Sequence, residues 1–394
     1  MSPTPEEQPF GVPPGDVWND VPLFREIQRV LMSSSGPVNW ELARQVGIAS
    51  ASWGTEDPAP SEEDRRGFDE AVRVAELQVA GFTGLEAPSD IPRVDAVRRG
   101  QWVQANIEGL RALLEPAAAK IGDAIATAQR DAVPEQAQAG VAQVLGQLSP
   151  LLLGAQVGTV LGTLAQHVLG QYDIAVPRPD DAGALLFVVP NIARFEKEWS
   201  LDPTDFRTWI AIHEVTHRFE FARSWALTRF RELIDDFTST LTLDVEELQQ
   251  RLASLDPSNP EGMQEMLAGQ DSLFGAVMDD EQRLKLRRVQ AFMTASEGYG
   301  DHVMHALGAQ MLPSYARIDE AMRRYRETEH VDPVFERLLG IEVKREQYRL
   351  GRAFCDAVVE LTDEATLARM WDSADALPSM PELEEPRLWL ARSA

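Results

Sequence analysis

The sequence predicts a mainly helical fold with one small β element, and three observations carry that expectation. Apolar residues recur at helical spacing along much of the chain, as at Phe68, Ala71, Val72, Val74, Ala75 and Leu77. An uncharged run from Gln136 to Tyr172 reads as a helix buried on nearly all sides of a core. Two apolar runs, Asp173 to Pro177 and Ala184 to Pro190, flank the polar turn Arg178 to Gly183 and predict a short antiparallel β-hairpin.

The elements follow in order. Residues 1–22 are rich in Pro, Gly and acid and read as a flexible arm, leaving 23–394 as a single domain. Asn39 is placed to cap a short helix opening at Trp40. A linker over residues 56–64 ends in a helix start, and the chain then reads helical almost continuously to about Arg130. In the uncharged run, Gly154, Gly158 and Gly162 recur every fourth residue, which lets another backbone approach closely. Pro150 and five polar residues interrupt the run, so a membrane span is not expected. After the hairpin, a helix begins near Pro203 with Asp202 or Thr204 as cap and runs through Phe221. Residues 254–280 form an acidic insertion expected to be mobile. Further helices are expected from Asp280 past His305, around Ala316 to Arg326, and from Lys344 to Leu361, with an extended tail over Leu377 to Leu383.

Composition narrows the function. With 394 residues, 44% hydrophobic, the chain can bury a sizeable core. Its 37 basic against 63 acidic residues give a net charge of −26, which repels phosphate backbones and anionic lipid, so neither nucleic acid nor a membrane is an expected partner. Cys355 is the one cysteine, which forbids an intrachain disulfide and fits a reducing cytoplasm. The first 25 residues have neither a basic start nor an apolar run, so no secretory signal is expected.

The chemistry concentrates in His213-Glu214-Val215-Thr216-His217. Histidines four apart on a helix stack one turn above each other, so both imidazoles reach one ion. Neutral imidazole suits zinc, and Glu214 is placed to take a proton from a water in the open coordination position. The flanking Trp209, Ile210, Ala211, Ile212, Phe219 and Phe221 mark this helix for burial. One Zn2+ per chain is therefore expected.

A catalytic zinc usually has three protein ligands. The metzincin pattern asks for Gly at 220 and His at 223, where this chain has Glu220 and Arg223. Glu297 is the favoured third ligand. Asp301, one turn on, shares its face and is expected to accept the outer N–H of a ligating histidine. This E-x-x-x-D spacing resembles the third-ligand helix of thermolysin-like gluzincins. Glu220, His302 and His305 are the rival third ligands, and Glu220 reads more simply as an exposed charge or an ion-pair partner. Tyr299, His302, His305, Tyr348 and Arg349 are candidates to meet substrate or the oxyanion, and spacing does not choose among them. Gly298 and Gly300 weaken the helix there, as close approach of a backbone or substrate would require.

Several runs together resemble one family: Val189-Pro190-Asn191-Ile192, Leu201 to Trp209 leading into the histidine motif, Ser296-Glu297-Gly298-Tyr299, and Lys344 to Phe354. They are similar to the zincin-like metallopeptidases of actinobacteria, whose family name is also associated with deazaflavin coenzyme biosynthesis. The resemblance implies a mostly helical zincin-like fold, a zinc site and a metal-dependent peptidase or hydrolase. The 33 arginines among 37 basic residues agree with such an origin.

The expected function is a cytoplasmic zinc hydrolase acting on a peptide or protein, with residues 184–189 offering an edge on which an extended substrate pairs. The alternatives are a catalytically silent zinc-binding scaffold, and a non-peptide amidase using the same residues.

Overall fold

In the computed structural model, residues 36–132, 135–171, 184–240, 279–328 and 341–393 are described. The N-terminal arm, nearly all of the acidic insertion, and the first limb and turn of the expected hairpin lie outside them. The described residues form 13 α-helices and two strands.

Helix α1 (Trp40–Ala51) starts where Asn39 accepts the Leu42 N–H (2.9 Å). Helix α2 (Glu62–Thr83) starts at a Ser61/Asp64 capping box and stops at Gly84, whose φ of 66° suits glycine. Strand β1 (Arg93–Val97) follows, then α3 (Arg99–Ala132) and α4 (Glu135–Ala165). Strand β2 (Ala184–Val188) runs directly into α5 (Val189–Trp199). Helix α6 (Pro203–Phe221) is capped by Asp202, which accepts from Thr204 and Asp205 N–H at 3.0 Å each, with Pro203 in the first turn where its missing N–H costs nothing. Next come α7 (Ser224–Ser239), α8 (Asp280–Met311, opened by an Asp279/Gln282 capping box), α9 (Tyr315–Thr328) and α10 (Ile341–Leu361). Short helices α11 (Glu364–Ala368), α12 (Met380–Glu384) and α13 (Pro386–Ser393) close the chain.

The mainly helical class with a small sheet is observed; the first limb and turn of the expected hairpin lie outside the described residues, and the described sheet is parallel where an antiparallel one was expected. β2 pairs with β1, and the pairing is parallel, from Arg93↔Ala184 to Val97↔Val188. The partner is distant in sequence, joined through α3 and α4 as a parallel crossover requires. All five residues of β2 are buried, which explains its unbroken apolar run Ala-Leu-Leu-Phe-Val. Leu185 and Phe187 face one core with α2, α5, α6, α8 and α10, while Leu186 and Val188 face a second with α1, α3 and α4. Gly170 bridges Phe187 in antiparallel sense on the sheet's other side. β2 is thus flanked by β1 on one side and, at Phe187, by Gly170 on the other, and Val189 and Pro190 belong to α5.

Three further expectations are corrected. The helical run to Arg130 is broken by β1, whose five residues carry too short a pattern to separate from helix. Over residues 150–165, helix α4 buries the face that carries Gly154, Gly158 and Gly162. Gly154, Gly158 and Gly162 admit the α1 backbone at Asn39, Ala43 and Gly47, whereas Leu152 is 64% exposed. No described helix is long and apolar enough to cross a membrane. The tail is not extended throughout, because a Ser379/Glu382 capping box starts α12 within it.

Candidate metal centre

Helix α6 lies in the larger core and is buried at every residue from Thr208 to Phe221. Helix α8 crosses it in antiparallel order. Gly308 lies against Trp209, Gly300 against His213 and His217, and Ser296 against Glu220. This crossing carries Glu297 to the two imidazoles. His213 and His217 stand edge to face, with centroids 4.5 Å apart. One ligand atom from each of His213, His217 and Glu297 lies within 4.8 Å of the others, and all three residues are buried.

The second imidazole is oriented from behind. Glu220 Oε2 accepts from His217 Nδ1 (3.0 Å) and from the Ser296 hydroxyl. That bond turns Nε2 toward Glu297, whose Oε2 is 3.9 Å away. Burial alone would lower the His217 pKa, but the charge and hydrogen bond of Glu220, then Glu297 and Glu214, overcome it and push it up to about 9. Burial conversely raises Glu220 above the usual carboxylate range. Three carboxylates thus hold a cation at His217, and a divalent metal competes for the place of that proton.

The residues fit a zinc ion on their own chemistry. Two imidazoles and one carboxylate are a common catalytic zinc set. Gly300 keeps the space before them open, since a Cβ there would sit 3.1 Å from His217 Nε2 and 3.5 Å from His213 Nδ1. Tetrahedral ligands with bonds of about 2.0–2.1 Å lie roughly 3.3 Å apart, so side-chain rotation must draw the donors slightly inward.

Glu214 is buried beside the two histidines and accepts the Gln171 backbone N–H at Oε2 (3.0 Å). Gly170 underlies its carboxylate. The sequence carried no signal for these two residues, because contacts between segments this far apart follow no local period.

The remaining expected residues divide. The acceptor for the outer N–H of His217 is Glu220, not Asp301. Glu220 is neither exposed nor, in this arrangement, the third residue of the cluster. Its spacing, three residues after His217 on one helix, was the available clue. Asp301 instead pairs with His305 Nε2 and Arg352, each at 3.5 Å. His305 Nδ1 lies 2.6 Å from the Tyr315 hydroxyl. His302 commits both ring nitrogens, Nδ1 to Asp356 (2.7 Å) and Nε2 to Glu364 (3.1 Å), so it has no donor left for a substrate. Tyr299 lies buried in the core. Its ring packs edge-on against Trp371, and burial pushes its phenol well above the usual value. Tyr348 lies on α10 with its side chain outside what is described, and Arg349 is exposed.

A buried H-E-x-x-H helix faced by a carboxylate from a second helix defines the class of metal-dependent hydrolases of zincin type. The chain matches the model of the zincin-like metallopeptidase family over residues 38–390 and belongs to that family. It is also similar to the crystal structure of "a putative hydrolase with a novel fold" from Chloroflexus aurantiacus, with 31% identity, a TM-score of 0.65, and coverage of 90% of this chain and 98% of that one. No curated protein matches the chain.

Proposed function

We propose that this chain is a zinc-dependent hydrolase that cleaves a peptide bond. His213, His217 and Glu297 hold the metal, and Glu220 with Ser296 keeps the His217 ring in its ligating orientation. Zinc held there would polarise a scissile carbonyl and lower the pKa of a water. Glu214 takes a proton from that water on its carboxylate and returns it to the leaving amine. The negative field of the chain leaves nucleic acid an unsuitable substrate, and the lone buried Cys355 fits a cytoplasmic setting.

The observation that carries this reading is a buried carboxylate beside the metal-binding group that is not one of its three members. A purely structural zinc needs no such base. The full burial of His217 and Glu297 favours the second reading, a closed zinc-stabilised scaffold. Glu214→Gln separates the two. On the proposed reading it retains one zinc per chain and loses cleavage of a quenched-fluorescent peptide mixture by about 1,000-fold or more. Equal cleavage by both proteins, or none by the zinc-loaded wild type on peptide or simple amide substrates, removes it.

A further inference from the structure

The groups that hold the Glu214 carboxylate come from outside its own helix. The Gln171 N–H fixes Oε2, while the Gly170 Cα faces the rest of the carboxylate so closely that a Cβ would overlap both Oε1 and Cδ. Gly170 does not adopt a positive φ, so the backbone there would accept alanine, and the three atoms nearest to an added Cβ all belong to the Glu214 side chain. The segment is itself tied down. The Trp102 indole N–H donates to the Gly170 carbonyl (3.0 Å), and Gln171 Nε2 donates to Asn106 Oδ1 (2.9 Å). Asn106 Nδ2 in turn donates to the Trp102 carbonyl (2.9 Å). The five residues are buried, and the bridge to Phe187 anchors the segment to β2.

We propose that Gly170 and the Gln171 amide form a seat that positions Glu214, with Trp102 and Asn106 of α3 as its support. One carboxylate oxygen is pinned by the amide, and the missing side chain at 170 gives the group a single place to lie. The other oxygen then has a fixed direction in which to meet a water. This deepens the proposed hydrolase reading and rests on it for its catalytic meaning, because displacement of a base by about 1 Å costs on the order of 100-fold in rate.

The test is a double-mutant cycle in the full chain: wild type, Gly170→Ala, Glu214→Ala, and both together. Gly170→Ala alone should lower Tm by about 5 °C, and in the Glu214→Ala background it should cost almost nothing, since the overlap is gone. Hydrogen exchange at the Gln171 amide should accelerate at least about tenfold in Glu214→Ala. In the zinc-loaded protein, Gly170→Ala should lower kcat on the peptide mixture by about 100-fold, with KM and zinc affinity within about twofold. The same loss of Tm in both backgrounds, unchanged exchange at Gln171, or an unchanged kcat overturns the seat. If the wild type cleaves nothing, the proposed function fails, while Tm coupling and exchange still decide whether the seat exists.

Discussion

A carboxylate buried away from water is costly unless charged or hydrogen-bonded partners surround it, and Glu220 has both in His217 and Ser296. It engages His217 Nδ1, leaving Nε2 as the nitrogen that would meet a metal, and raises the basicity of the ring. Glu220→Gln should therefore weaken zinc binding about 10- to 100-fold in chelator competition while leaving one site per chain. An unchanged affinity would reduce Glu220 to a packing residue. At this scale the local part of the site was legible: His213 and His217 sit one helical turn apart, Glu214 directly follows the first, and the three declare themselves by spacing. Glu220 is the ion-pair partner that the sequence allowed, while its burial is not legible there, because spacing reports a shared face and not burial. Gly170 and Gln171 were invisible, since the contact to Glu214 spans separate elements. Asn191, part of the run that carries the family resemblance, serves the fold: it accepts from the buried Arg99 (2.6 Å) and donates to the Ala165 and Val168 carbonyls.

Between elements, the crossing of α8 and α10 holds Glu297 in place. At Gly298 and Gly351 the two backbones touch so closely that a Cβ on either would overlap the other helix, which accounts for a glycine beside a metal-site residue. A few residues on, His302 joins α8 to Asp356 of α10 and Glu364 of α11. Burial lowers its pKa, but its bonds to Asp356 and Glu364 dominate and raise it from 6.5 to about 9. The folded pKa is above the unfolded one, so the stabilisation is complete below about pH 6.5 and lost as pH rises through 9. Because Asp356 is half-exposed, solvent screening reduces the effect to on the order of 2 kcal/mol. Stability of the wild type should decline between pH 6.5 and 9 by this amount relative to His302→Gln, measured by urea unfolding; parallel pH profiles would contradict the staple. The helices of this region were readable from their periods and caps. The parallel pairing of β1 with β2 was not, because a five-residue strand states only that it is apolar and leaves its partner unnamed.

Across the whole molecule, β2 divides two apolar cores, and the candidate centre lies in the larger one between α6 and α8. Burial of His213, His217 and Glu297 in a chain of net charge −26 favours a bound cation over an empty cluster of polar groups. A metal held by His213, His217 and Glu297 would join two helices far apart in sequence, so its removal should loosen the core along with the site. The decisive experiment is anomalous X-ray scattering at the zinc edge from crystals of the zinc-loaded full chain. One peak, bonded at about 2.0–2.1 Å to His213, His217 and Glu297, is the expected result. No peak at these residues, or a zinc ion held elsewhere on the chain, would contradict the metal centre and the hydrolase built on it.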